Sequence, residues 1–285
     1  MFGLRSDGKH LKKTSAVFKL MPNLMRERND SQVLFSQDII TDGMDAYIKE
    51  KFDNDGIKIS YLDIVFTAIA RIIAERPHLN RFVVNGRTYA RNSIFLSIVV
   101  KKGMNDEALE TPLKFEFKGG ETIFEVKDKI QAEINKNKEV DMKNGTDKTV
   151  NALTSVPASL IKVAMNIIRF LDKHGILPKA LINVSPFHTS AFVTNVGSLG
   201  IDAIYHHLYN FGTTSMFYAM GRKKKTYVYV DDELVEKKCI SIAFVGDERI
   251  CDGYYYASSF KLFSKYLAKP FLLEEKGEKK IDDQL

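Results

Sequence analysis

Cysteine is scarce in this chain, and several sequence features that would point to a function are missing. The 285 residues include only Cys239 and Cys251, and both fall in apolar surroundings. Two such cysteines predict reduced thiols in the core rather than a disulfide framework. The sequence has neither the Cys/His spacing of a zinc site nor an RNA-binding fingerprint. We therefore expect a protein with no metal and no nucleic-acid partner.

Long apolar segments are also missing. The amino-terminal residues contain no apolar signal core, and no run is apolar for long enough to span a bilayer. The formal net charge is +6, but the basic residues are scattered along the chain, which is typical of a solvated surface. Hydrophobic residues make up 45% of the chain, which is enough for a substantial core. These features predict a soluble, cytoplasmic protein.

One stretch near the carboxyl terminus combines a strand, a polar turn and a helix. The apolar run 240–245 has the length of a strand, and apolar residues recur at helical spacing from 257 to 267. Between them stand Gly246-Asp247-Glu248-Arg249 and then Asp252-Gly253. We take this strand–turn–helix as the first candidate functional segment.

A second segment lies about 50 residues earlier and reads Ala191-Phe-Val-Thr-Asn-Val-Gly-Ser-Leu-Gly200. The two segments together resemble the chloramphenicol acetyltransferase-like family, most closely the catalytic core of dihydrolipoamide acyltransferases. That family has Thr-Ile-Ser-Asn-Leu-Gly in the first segment and Asp-His-Arg-x-x-Asp-Gly in the second. The resemblance covers roughly residues 11–270 and implies a two-layer α/β sandwich with a mixed β-sheet.

The resemblance implies a role for each matching residue. Thr194 matches the serine whose hydroxyl stabilises the oxyanion of the tetrahedral intermediate, and threonine keeps that donor. Glu248 stands where the family has its catalytic histidine. Asp252 matches an aspartate that pairs with an arginine and holds the turn, while Arg249 and Gly253 shape that turn.

The change from histidine to Glu248 alters the proton chemistry. In the family the histidine removes a proton from the thiol of coenzyme A or dihydrolipoamide, and the thiolate attacks an acyl carbonyl. The usual pKa of a glutamate, ~4.3, lies about four units below that of a thiol, which corresponds to ~5–6 kcal/mol of proton-transfer free energy. Burial could raise the pKa of Glu248, and an approaching Arg249 would lower it. We therefore expect thioester chemistry to be lost or altered.

Two adjacent histidines are alternative bases. His206 and His207 follow the Thr194 segment, in a part of the chain that the family uses near its substrate channel. They can equally be structural or interface residues, and without a further spaced ligand they make a weak metal site. His188 is a less favoured candidate.

The domain prediction has three parts. Residues 1–272 form one acyltransferase-like core domain, a helical insertion occupies about 144–186, and 273–285 form a charged flexible tail. The insertion is interpreted first as helices packed on the sheet or on a neighbouring subunit. A lid over the substrate channel and a membrane-surface contact through 156–182 are less favoured alternatives.

Three functions remain open at this stage. The first is a stand-alone homotrimer related to 2-oxo acid dehydrogenase acyltransferases, with coenzyme A as the implied substrate and no lipoyl group attached to this chain. By analogy with the family trimer, Glu248 would then face Thr194 of an adjacent subunit. The second is an active coenzyme A-dependent acyltransferase that uses Glu248, His206 or His207 as its base. The third is a trimer that binds a ligand or acts as a scaffold without catalysis.

Overall fold

The computed structural model describes residues 4–101, 110–137, 154–282 and 284. Its strands are β1 (Gly8–His10), β2 (Gln32–Ile40), β3 (Arg81–Val84), β4 (Arg87–Arg91), β5 (Ile94–Lys101), β6 (Glu110–Phe117), β7 (Ala191–Asn195), β8 (Met216–Val230) and β9 (Glu233–Asp247). Its α-helices are α1 (Ala16–Leu24), α2 (Asp42–Asp55), α3 (Tyr61–Glu75), α4 (Ile123–Asn137), α5 (Ala158–Lys173), α6 (Lys179–Val184) and α7 (Gly253–Ala268).

The main layer is a six-stranded mixed sheet in the order β2-β9-β8-β7-β5-β6. Strand β7 runs parallel to both β5 and β8, and the other neighbouring strands are antiparallel. Helix α3 packs between α4 and α7, and together with the inward face of the sheet these helices enclose the core. The predicted two-layer α/β sandwich with a mixed sheet is confirmed.

Local sequence chemistry explains the central helix. Ser60 accepts a hydrogen bond from the amide of Asp63, whose carboxylate in turn accepts from the amide of Ser60 at 2.8 Å. This capping box starts α3 by pairing amides that the first helical turn leaves free. The residues from Ile64 to Ala74 are all buried, so the helix is core on every side. Both cysteines are also buried and free, as the composition predicted.

A second sheet of three strands, β1-β4-β3, lies beside the first. Its β3–β4 hairpin turns at Asn85-Gly86, both with φ in the left-handed region, a conformation that the Asn-Gly pair favours. The β8–β9 hairpin turns at Asp231-Asp232 in the same conformation. Strand β1 was not predicted, because its three residues carry no alternating pattern.

The carboxyl-terminal segment departs from the prediction of a flexible tail. Asp282 is buried and receives two hydrogen bonds from the Arg81 guanidinium, at 2.6 and 2.7 Å. The amide of Lys280 donates to the Ala74 carbonyl, and an added Cβ on Gly277 would overlap the Arg71 side chain. The described residues 274–282 therefore pack against the core. Composition misled the prediction because it counts the charges but does not show the buried arginine that pairs with one of them.

The described part of the predicted insertion consists of α5 and α6, while residues 144–153 lie outside the described residues. Helix α5 begins after Pro157 and ends near His174. Asp172 is the buried residue of α5, and one side of the helix exposes apolar residues. Within the described ranges, no helix is long and apolar enough to cross a membrane.

Candidate functional site

The turn between β9 and α7 is organised by a buried carboxylate, that of Asp247. Its Oδ1 accepts hydrogen bonds from the Arg249 amide at 3.1 Å and from the Arg249 Nε at 2.8 Å. Oδ2 accepts from Arg249 Nη2 at 2.7 Å, and the Ser31 hydroxyl donates to Oδ1 at 3.0 Å. The Tyr256 hydroxyl donates to the backbone carbonyl of Asp247 at 2.9 Å. This set of charge-assisted bonds fixes the conformation of the turn.

Arginines join this turn to the amino-terminal part of the chain. The Nη1 of Arg249 donates to the carbonyls of Met25 and Arg26 at 3.1 and 3.2 Å. The Nε of Arg28 lies 3.7 Å from Oδ2 of Asp247. Burial lowers the pKa of Arg28 to about 10, although Asp247 acts in the opposite direction. Segment 25–31 is therefore a wall of the candidate site.

Glu248 points away from this buried cluster. Its side chain is exposed, while those of Asp247 and Arg249 on either side are buried. Its amide donates to the Ser31 carbonyl at 2.8 Å. The Arg249 guanidinium binds Asp247. Arg249 therefore does not approach Glu248 in this structure, although the sequence had left that approach open. The turn thus presents one free carboxylate at the position where the resemblance implies a catalytic base.

Asp252 and Gly253 lie at the start of α7. Asp252 caps α7 by accepting a hydrogen bond from the Tyr255 amide at 2.7 Å, and the aspartate that pairs with Arg249 is Asp247. Gly253 has a φ outside the left-handed region, and an added Cβ would meet no atom of the described residues within 4 Å. No close approach at this position requires a glycine. The turn is shaped by Asp247 and Arg249.

Thr194 lies half-exposed on β7, an interior strand of the main sheet that is separated from β9 by β8. Its register partner on β8 is Ala219, which in turn faces Ala243 on β9. Ala243 lies four positions before Asp247, the last residue of β9. At ~3.3 Å per residue, this is about 13 Å along the strand. Since β9 runs antiparallel to β8, the turn after β9 follows the opposite end of the sheet. Thr194 and Glu248 of one chain are therefore not brought together.

Two glycines fix the backbone that follows Thr194. An added Cβ on Gly197 would overlap the backbone of Gly221, and one on Gly221 would overlap the amide of Ala203. The Arg222 amide also donates to the Ile201 carbonyl at 2.9 Å. The Thr-Asn-Val-Gly segment is thus pressed against β8, which holds the end of β7 in place.

His206 and His207 lie on the outer face of the sheet. His206 stacks on Phe217 with ring centroids 4.3 Å apart, and burial lowers its pKa below the ordinary value. His207 is exposed and meets Tyr209 edge-on. The next residue, Leu208, donates from its amide to Gln32 Oε1 at 2.6 Å, and Gln32 is the register partner of Asp247. The segment that carries the two histidines therefore lies near the end of β9, where the Glu248 turn begins.

His188 is a structural residue here. It is fully buried, with Nδ1 2.8 Å from the Ser185 hydroxyl and Nε2 3.3 Å from Asp172. Asp172 also receives a 2.8 Å hydrogen bond from Arg5. Burial alone would raise the pKa of Asp172, but His188 and Arg5 outweigh it and the pKa falls to about 2.

Sequence reasoning missed His78, which lies beside the first turn of α7. Its ring stacks on Tyr255 with centroids 4.4 Å apart, and its amide donates to the Tyr255 hydroxyl at 3.2 Å. The two residues are 177 positions apart, so no local pattern signals the contact.

In the described ranges, no group of three His, Cys, Asp or Glu side chains could hold a metal ion.

Comparison with known proteins agrees with this architecture. Residues 184–274 match the family model of the 2-oxoacid dehydrogenases acyltransferase catalytic domain. A probable dihydrolipoamide acetyltransferase from Listeria monocytogenes is similar in structure, with a TM-score of 0.59, 14% identity, and coverage of 90% of this chain and 93% of that chain. No curated protein sequence matches the chain.

Two further solved structures have the same fold. The cubic core of the pyruvate dehydrogenase multienzyme complex gives a TM-score of 0.52 at 10% identity, covering 93% of this chain and 94% of that chain. A chloramphenicol acetyltransferase gives a TM-score of 0.52 at 11% identity, covering 93% and 99%. The fold is that of the chloramphenicol acetyltransferase-like proteins. The resemblance to the catalytic domain of 2-oxo acid dehydrogenase acyltransferases is confirmed, and the family match includes both Thr194 and Glu248.

Proposed function

We propose that this chain is an acyltransferase-fold protein whose thioester chemistry is lost or altered because the thiol-activating histidine is missing. The observation that carries the proposal is the Glu248 turn. Asp247 and Arg249 hold the turn rigidly, and the side chain exposed at the family's catalytic position is a carboxylate. A carboxylate as a residue type is a much weaker base than the imidazole that removes the thiol proton in the resembled family.

The arrangement of the site supports an active site formed by residues of two subunits. Thr194 is separated from β9 by β8 and lies about 13 Å along the sheet from the end of β9, so a carbonyl held by one chain cannot lie within hydrogen-bond reach of both Thr194 and Glu248. In a trimer of the family type, Glu248 of one subunit faces Thr194 of the next. The solved structures of this fold include the cubic core of a multienzyme complex, which makes a subunit-built site a reasonable proposal.

A second candidate function is an active coenzyme A-dependent acyltransferase with a different base. His206 favours it, because its lowered pKa leaves the imidazole neutral and able to accept a proton at neutral pH. Glu248 and His207 are the other candidate bases. A third candidate is a ligand-binding or scaffold trimer that performs no turnover.

An assay of free-thiol release from acyl-coenzyme A thioesters separates these functions. The leading proposal predicts a rate near the uncatalysed background for the wild-type chain, and no further loss in Glu248→Ala, His206→Ala or His207→Ala. If the wild-type chain releases thiol rapidly and one of these substitutions abolishes the release, the leading proposal is wrong and the protein is an active acyltransferase. Thermal stabilisation by coenzyme A without thiol release would favour the ligand-binding trimer.

A further inference from the structure

The described part of the chain exposes one face that combines apolar side chains with unpaired cations. It is formed by α1 and α5, which flank a cavity of about 850 Å³. We call it the α1–α5 face and define it by the exposed apolar residues of α1 (Val17, Leu20, Leu24), those of α5 (Leu160, Val163, Ile167, Phe170), and the cations Arg26, Arg169 and Lys173.

The apolar side chains on α5 form a continuous stripe. Leu160, Val163, Ile167 and Phe170 are each more than half exposed, at 53%, 53%, 54% and 58%. They recur at spacings of three and four, so at about 100° per residue they lie along one side of the helix. Four exposed apolar side chains in a row along one helix mark an interaction surface.

The basic residues of α5 form a second row beside the stripe. Lys162, Arg169 and Lys173 lie along one line of the helix, about 120° round the axis from the apolar stripe. Arg169 and Lys173 line the cavity, and their side chains make no ion pair or hydrogen bond within the described ranges. Arg26, from the end of α1, reaches the same cavity and is likewise unpaired there.

The carboxylates at the cavity are already engaged. Asp172 is bound by Arg5 and His188, and Glu27 receives a 2.6 Å hydrogen bond from the Asn210 amide. The buried Arg28 also lines the cavity, but its guanidinium faces Asp247 and donates to the carbonyls of Tyr209 and Val83. Within the described ranges, the cavity therefore presents unmatched positive charge from Arg26, Arg169 and Lys173.

Charge decides which partner fits this face. Residues 8–26 contain no acidic residue, and between 154 and 201 the single acidic residue is the buried Asp172. Two copies of the face set against each other would bring cations together with no counter-charge. An anionic phospholipid bilayer supplies both negative charge and an apolar environment. Its phosphates match the cations, and its acyl region covers the apolar stripe.

We propose that the α1–α5 face docks on the surface of a membrane containing anionic phospholipids. Helix α5 lies in the plane of the interface with Ile167 and Phe170 inserted, and Arg169 and Lys173 bind lipid phosphate at the mouth of the cavity. The proposal is independent of whether the Glu248 turn is catalytically active.

Sedimentation with vesicles tests the proposal on the full chain. We expect binding to vesicles of phosphatidylcholine mixed with phosphatidylglycerol, little binding to phosphatidylcholine alone, and weakening as salt is added. Arg169→Gln combined with Lys173→Gln should weaken binding roughly tenfold or more, since each cation near an anionic surface contributes about fivefold. Phe170→Ser should also weaken it. Lys261→Gln, which removes an exposed lysine from α7, is the matched control and should bind as the wild type does.

Three results would overturn the proposal. One is the absence of binding to either vesicle, and another is binding that the double charge variant leaves unchanged. The third is a fall in native mass for Phe170→Ser, measured by light scattering, which would identify the face as an interface between copies of the chain. Because Arg169 and Lys173 are exposed, their substitution should leave the melting temperature unchanged, which shows that any loss of binding comes from the surface itself.

Discussion

Asp247 is the residue that determines the shape of the candidate site. It is fully buried and binds Arg249 through both carboxylate oxygens, with Arg28 nearby. Asp247→Asn leaves two buried guanidinium groups facing a neutral amide, so we expect a loss of about 3–5 kcal/mol in the free energy of unfolding. Urea unfolding followed by circular dichroism measures it.

Asp252→Ala is the matched control in the same turn. It removes only the cap of α7, which typically costs ~1 kcal/mol. If Asp252→Ala were the more damaging substitution, Asp252 and not Asp247 would hold the turn, as the resemblance had implied.

Asp282 gives a prediction with a defined pH window. Burial alone would raise its pKa, but the Arg81 guanidinium outweighs burial and the pKa lies below its ordinary value. A lowered carboxyl pKa stabilises the folded state above the unfolded pKa of about 4, and that contribution is lost as pH falls through the folded pKa. Asp282→Asn should therefore cost on the order of 3 kcal/mol at pH 7.

The same substitution should cost progressively less as the pH falls below about 4, because Asp282 of the unfolded wild-type chain is protonated first and the folded chain follows as the pH passes its lower pKa. Chemical unfolding of both proteins across this range measures the difference. Glu278→Gln removes an exposed charge from the same segment and should have little effect at any pH. A constant difference between Asp282→Asn and wild type down to pH 2 would contradict the ion-pair account.

At the scale of elements, local patterns predicted what local chemistry controls. The strand leading to Asp247 was found as predicted, and the Asn85-Gly86 turn and the Ser60 cap of α3 likewise depend on neighbours within a few residues. These signals are strong because the residue types themselves favour the conformation.

Contacts between distant residues were not predictable in the same way. The pairing of Arg81 with Asp282 spans 201 residues, and the stacking of His78 on Tyr255 spans 177. Choosing Asp247 over Asp252 as the partner of Arg249 also required the path of the chain, because both aspartates lie within three residues of the arginine. The sequence alone could name the acidic turn, but only the fold shows which carboxylate it buries.

At the scale of the whole molecule, the separation of Thr194 from Glu248 makes assembly a testable requirement of the proposed site. A trimer should elute with a mass about three times the 32.4 kDa of the chain when light scattering is measured at micromolar concentration. A mass of one chain under these conditions would contradict a site shared between subunits.

The central claim is that the scaffold is intact and lacks only its base, and Glu248→His tests it most directly. The substitution places an imidazole on a turn already held by Asp247 and Arg249. General-base catalysis is typically worth ~10²–10⁴-fold, so we predict a measurable gain in thiol-dependent acyl transfer with small acyl-coenzyme A donors. Adding Thr194→Val should reduce that gain by removing the oxyanion donor. A folded trimeric Glu248→His protein that binds coenzyme A but gains no activity, or a fast wild-type enzyme that the histidine slows, would contradict the claim.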